Sequence, residues 1–138
     1  MTKYVVGFYY VTHPNTVLLI RKKRPDWQKG LLNGVGGHVE NDESDVAAMR
    51  REFEEEAGID VIGWRSFLEI KRDPGFHITF FYFKGERGEM NNIHARTDEQ
   101  LEWHAMNRLP DDIIPNLAWI IPLSLEREIE GPLIINYK

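Results

Sequence analysis

Glu52, Glu55 and Glu56 fall on one stripe of any helix that contains them, because residues three and four apart face the same way at about 100° per residue. Like charges so placed repel, and the stripe costs local stability unless a cation stands against it. Taken alone, these glutamates describe a solvated acidic face, the ordinary fate of a charge run. The flanks argue otherwise. Ser44, or Asp42 before it, can cap a helix start, and Gly58 supplies the left-handed position that ends one. Val46, Met49, Phe53 and Ala57 recur at helical spacing and predict the buried face of a helix over Ser44 to Ala57. Ahead of it, Gly36-Gly37 brings bare backbone, carbonyls included, towards the carboxylates. Arg51 is placed to pair with Glu43 or Glu40 and brace the intervening loop. Donors that are all oxygen suit a hard cation, Mg²⁺ or Mn²⁺.

The rest of the chain supplies a sheet for this helix to cover. Tyr4 to Val11 and Thr16 to Ile20 are rich in β-branched and aromatic residues, and His13-Pro14-Asn15 between them predicts a hairpin. After a basic stretch from Arg21 to Lys29, the run Gly30 to Gly37 holds four glycines and reads as a short, broken strand. Val61 to Ile70 and Phe76 to Lys84 predict two strands joined at Asp73-Pro74-Gly75, and Leu101 to Met106 another. Asn116 to Glu128 has a helical apolar pattern that Pro122 must kink or restart. Strands with two helices imply an α/β fold, an α/β/α sandwich with the sheet between the helices.

With 138 residues, the chain fits one domain over 1–138, and a domain of this size buries about two-thirds of its unfolded surface. No apolar run approaches the roughly 20 residues that span a bilayer, and the N-terminus lacks a cleavage pattern, so the expectation is a cytoplasmic protein without a membrane partner. The chain has no cysteine, which excludes a thiol nucleophile and Cys-ligated zinc. A net charge of −5 argues against duplex nucleic acid. A small polyphosphate is compatible with that charge if a divalent cation stands between it and the carboxylates.

The segment Gly37 to Ile59 resembles the Nudix box, G-x5-E-x7-R-E-U-x-E-E-x-G-U, where U is a bulky apolar residue. Gly37, Glu43, Arg51, Glu52, Phe53, Glu55, Glu56, Gly58 and Ile59 fill every specified position. Seven fixed positions, each met by chance at roughly 7%, coincide about once in 10⁸ starts. The resemblance implies a mixed-sheet α/β/α sandwich and a Mg²⁺-dependent hydrolase acting on a nucleoside diphosphate linked to a further group. It implies that Glu52, Glu55, Glu56 and the Gly37 carbonyl hold the metal, with Arg51 and Glu43 as a brace. The general base is Glu55, Glu56 or an acid in a loop beyond the sheet, for which Glu99 is the choice.

Outside the box, Leu32 to Gly37 is similar to the entry strand of MutT-type members that cleave nucleoside triphosphates, oxidised purine ones included, and marks Asn33 as a contact to the base. Ile114-Pro115-Asn116-Leu117 resembles the loop from which they present an amide or acid to a purine edge, which marks Asn116. His38 stands where they often carry Lys and is the remaining substrate-side candidate, with less to offer a phosphate when neutral. The expected reaction yields a nucleoside monophosphate and pyrophosphate, from a monomer or a homodimer. Two alternatives stay open: an ADP-ribose pyrophosphatase, to which Pro74 gives some support, and a non-catalytic nucleotide-sensing domain. Phe8, Tyr10, Phe81, Phe83 and Trp119 read as core rather than as base-stacking residues.

Overall fold

In the computed structural model, which describes residues 1–126, 128 and 130–138, strand β1 (Thr2–Val11) is the axis of the fold. It pairs in parallel with β6 (Phe76–Gly85) along its whole length, from Thr2 opposite Phe76 to Val11 opposite Gly85. This long pairing carries β1 two residues further towards the N-terminus than its apolar run suggests. Along its other edge lie β4 (Val35–His38) and, at the hairpin, β2 (Thr16–Arg21), both antiparallel. β2 in turn holds β3 (Leu32–Asn33) and β7 (Gln100–Ala105), while β5 (Arg65–Arg72) joins β6 to a terminal strand, β8 (Leu133–Tyr137). Among the described residues the result is one mixed sheet of eight strands.

Period-two alternation divides the core between the two faces of this sheet. Val5, Tyr9 and Val11 of β1, with Leu18 and Ile20 of β2, pack under helix α1 (Asp45–Ala57). Phe8, Tyr10, Val17 and Leu19 point the other way, onto Leu117, Ile120 and Ile121 of α2 (Leu117–Leu123). This is the expected α/β/α arrangement. Of the aromatic residues read as core, Phe8, Tyr10 and Phe81 are fully buried, whereas Trp119 is 42% exposed. No helix among the described residues is long and apolar enough to cross a membrane.

Helix α1 starts and stops where its caps require. The Ser44 hydroxyl accepts the Ala47 N–H at 3.2 Å, and Gly58, at φ 86°, donates its N–H to the Glu54 carbonyl. Met49, Phe53 and Ala57 are buried as expected, but Val46 is 48% exposed and Ala48 takes its place inside. The cause is Asp45. Thr79 of β6 donates to it at 2.9 Å and Lys3 of β1 pairs with it at 2.7 Å, which turns the first helical turn inward at Asp45 and rolls Val46 out.

Two other expectations need correction, and one strand lies outside them. β5 begins at Arg65 rather than near Val61, because Gly63, at φ 113°, breaks the extended run and leaves Val61 and Trp64 as buried plugs beside α1. Helix α2 closes at Leu123, well short of Glu128, as the Ser124 and Leu125 N–H groups fold back onto Ile120, Ile121 and Pro122. Arg127, within that expected helix, lies outside the described residues. β8 has no counterpart in the sequence reading.

Between β2 and β7, Arg21 makes a two-pronged bond to Glu102, at 2.6 and 2.9 Å, and holds its carboxyl at about 2, below the usual 4.5. A depressed folded-state pKa gives stability that is complete above the unfolded value and lost as pH falls through the folded one. Glu102→Gln is expected to lower the free energy of unfolding by about 1 kcal/mol at neutral pH. In urea titrations, its deficit relative to wild type should close as pH drops from 4.5 towards 2; a deficit independent of pH would reject the ion pair as its source.

Candidate active site

The site is built where β4 meets α1. β4 runs antiparallel to β1, with Gly36 opposite Val6 and Gly37 opposite Val5. A Cβ at Gly36 would run into the Val5 carbonyl, and one at Gly37 would lie 2.5 Å from the Glu52 carboxyl carbon. Gly36 thus lets β4 lie close against β1, and Gly37 lets the Glu52 carboxylate rest against the strand backbone where a side chain would push it aside.

Arg51 holds the pieces together. Its Nε and Nη2 donate to the two oxygens of Glu43 at 2.7 and 2.9 Å, and Nη2 also reaches the His38 carbonyl at 2.9 Å. Nη1 lies 2.9 Å from Glu52 and 3.3 Å from Glu55, with Glu40 at 3.8 Å. Glu43 is drawn below the usual carboxylate range by Arg51, and it also accepts the Glu40 N–H at 3.0 Å. One guanidinium thus ties the loop after β4 to the second turn of α1.

The helix carboxylates differ in what surrounds them. Glu52 is only 13% exposed, and burial raises its pKa despite the adjacent guanidinium. Burial also raises Glu56, whose Oε2 accepts the Thr97 hydroxyl at 3.0 Å. Glu55 is 57% exposed and leans on Arg51. In these positions no three acidic or histidine side chains among the described residues converge on one point. The donor set nevertheless fits a hard divalent cation in kind: carboxylate oxygens, two of them desolvated, beside a strand backbone stripped of side chains.

Glu99 sits next to this group, linked through Thr97, whose hydroxyl accepts the Glu99 N–H while donating to Glu56. It is 4% exposed, with Oε1 on the Lys22 ammonium at 3.1 Å and Oε2 on the Lys23 N–H at 2.6 Å. Burial opposes its charge, but the Lys23 backbone and Lys22 more than offset this and hold it below the usual range. Lys22 and Thr97 are parts of the site that sequence reasoning passed over. Arg21 to Lys29 reads as a polar connection, and only the antiparallel register of β2 with β7, Arg21 opposite Gln100, brings Lys22 to Glu99.

The two amides come to one sheet edge. Leu32 bridges to Ile113, its N–H bonding the Asp112 carbonyl while its own carbonyl takes the Ile114 N–H, so the loop leading to Asn116 is stitched beside β3 and Asn33. Asn33 Oδ1 accepts the Gly34 N–H at 2.8 Å, and Nδ2 donates to Gln28 at 3.1 Å. Asn116 precedes α2 without a side-chain capping bond. The His38 ring lies over Tyr4 with centroids 4.6 Å apart, and it is the His38 carbonyl that meets Arg51.

Known proteins share this arrangement of sheet and helices. The family model for the NUDIX domain matches residues 1–123. A MutT of the pair from Aliivibrio salmonicida and Vibrio cholerae aligns with a TM-score of 0.68 at 27% identity, over 88% of this chain and 97% of that one. A MutT Nudix hydrolase from Burkholderia pseudomallei gives 0.65 at 23% identity, over 90% and 98%. The NUDIX domain of NrtR from Shewanella oneidensis, in complex with ADP ribose, gives 0.74 at 14% identity, over 91% and 86%. The last two are similar in fold.

The brace is open to direct test. Arg51→Lys keeps a positive charge but cannot reproduce the fork on Glu43 together with the bond to the His38 carbonyl. Chemical denaturation is expected to give a loss of about 1 to 3 kcal/mol; wild-type stability would reject Arg51 as the tie between loop and helix.

Proposed function

The chain belongs to the NUDIX-domain family of hydrolases, which in general use divalent metal ions, and from that premise we propose that it cleaves a nucleoside triphosphate to a nucleoside monophosphate and pyrophosphate. Mg²⁺ is the proposed metal, replaceable by Mn²⁺, and the preferred base is a purine, oxidised or not. The observation that carries the reaction class is the Glu52 carboxylate lying against the bare backbone of Gly37. Glu52, Glu55, Glu56 and the Gly37 carbonyl would hold the metal, which when bound supplies charge neutralisation to the phosphate oxygens and a more acidic water.

The side chains then divide the work. A water oxygen forms a bond to the α- or the β-phosphorus, the P–O bond to the oxygen that bridges them breaks, and its electron pair leaves on that oxygen with pyrophosphate or with the nucleoside monophosphate, respectively. Glu99 is buried with a basic partner on each oxygen and held below the usual carboxylate range, which makes it the weaker proton acceptor, so the proton of the water is assigned to Glu55 or Glu56. Glu99 serves instead as a positioning residue that fixes Lys22 and the Lys23 backbone. Arg51 and Glu43 keep the Gly37 backbone facing the helix. Asn33 retains one amide hydrogen beyond its bond to Gln28, available to a base edge, and Asn116 stands on the loop stitched beside it. Support for the triphosphate reading comes from this pair and from the MutT relative at 27% identity.

A panel of nucleotides with Mg²⁺, read by phosphate and pyrophosphate release, tests the reading. Purine triphosphates are the expected substrates; selective cleavage of ADP-ribose would replace the triphosphate reading, and silence across the panel would point to a sensing domain. Glu56→Gln should lower kcat by orders of magnitude with the fold intact, and wild-type turnover would remove it from the proposed metal set. Asn33→Ala is expected to narrow the ratio of purine to pyrimidine kcat/KM, whereas an equal loss on both would discard base contact.

A further inference from the structure

The strand β8 ends the sheet with one edge unused. It pairs in parallel with β5 from Leu68 opposite Leu133 to Arg72 opposite Tyr137, and among the described residues no other strand joins it. Its place is fixed from within: Ile135 packs on the α2-side core, and the Tyr137 ring meets Phe76 edge-on at 6.3 Å. Outwardly, Leu133 is 40% exposed, Ile134 54% and Tyr137 43%. The segment Leu-Ile-Ile-Asn-Tyr carries no charge and no proline, two of the devices by which natural proteins discourage an edge from pairing. By contrast β7, which pairs with β2 alone, carries the charged Glu102 bonded to Arg21 and His104.

We propose that β8 pairs antiparallel with β8 of a second copy of this chain, so that one sheet runs through a two-fold dimer. A strand edge presents alternating N–H and C=O groups that only another extended backbone satisfies in series. A two-fold axis normal to the sheet sets the same strand against itself antiparallel, and the contact is closed after two copies. Centred on Ile135, this register places Leu133 opposite the partner's Tyr137 on the α2 side, an aliphatic–aromatic pair of the kind that stabilises strand pairing. Ile134 meets the partner's Asn136. At the ends Lys138 comes opposite the partner's Pro132, two residues from the partner's Glu130, which is of opposite charge. The Nudix-box face is not part of this contact, so the dimer leaves Glu52 and Glu56 accessible.

Analytical ultracentrifugation of the full chain across the micromolar range tests the pairing. Wild type should sediment as a dimer, and Ile134→Lys, which puts a charge on the edge, as a monomer with unchanged circular dichroism and hydrolysis. A monomeric wild type would overturn the proposal and leave the edge to a foreign strand. An undiminished Ile134→Lys dimer would overturn it too, by placing the interface elsewhere. If Ile134→Lys loses its fold, Ile135→Cys decides: the chain has no cysteine of its own, and residue 135 faces its own mate. A disulfide-linked dimer under mild oxidation supports the register, and none overturns it.

Discussion

The whole arrangement depends on Arg51. Three glutamates at i, i+3 and i+4 are a repulsive stripe, and α1 carries it because one guanidinium stands between Glu52 and Glu55 while its other arm is clamped on Glu43. The clamp is geometric as well as electrostatic. A planar fork held by two carboxylate oxygens and a main-chain carbonyl has little freedom to turn, so the loop from His38 to Glu43 is fixed relative to the helix. This orientation keeps the Gly37 backbone against Glu52. A glycine strand alone would gain closeness without rigidity, and with a side chain at position 37 the Glu52 carboxylate would be pushed aside.

The sheet decides where such a clamp can form. β1 is flanked by β4 on one edge and β6 on the other, and its residues alternate between two buried faces. α1 therefore lies on a foundation that cannot shift without opening the core beneath Met49 and Phe53. Asp45, tied to Thr79 and Lys3, locks the first turn of the helix onto β6 and β1. The acidic stripe is consequently presented by a rigid element, with Thr97 and Glu99 approaching from the loop before β7. A site placed on framework elements retains its geometry better than one assembled from loops.

What could be read from the chain follows from how local the signals are. Ser44, Gly58, the glycine pair and Arg51 announce themselves within one helix and its approach, so α1, its caps and the brace were legible. Val46 was misplaced because periodicity assumes a helix lying evenly on its support, whereas the tether at Asp45 rotates the first turn. The Lys22–Glu99 contact spans 77 residues and depends on the register of β2 with β7, for which no local pattern exists. β8 escaped for a related reason. A parallel edge strand has no turn linking it to its neighbour, and Leu133 to Tyr137 shows no polar alternation to mark it as half-buried.

A count of charges around the acidic stripe bears on its chemistry. Arg51 is engaged by Glu43, Glu52 and Glu55, Lys22 by Glu99, and Arg24 by Asp98. Arg51, Lys22 and Arg24 are thus already matched, and Glu52 and Glu56 remain as desolvated acids pushed up by burial. A polyphosphate entering here would add several negative charges to a region where these three cations are committed. Side-chain rearrangement could free one of them only by exposing a carboxylate partner, which moves the deficit without removing it. A hard divalent ion between carboxylate and phosphate oxygens would answer that deficit, and these oxygen donors are of the kind that bind one. This is the physical ground for proposing metal-assisted hydrolysis in a protein whose net charge is −5.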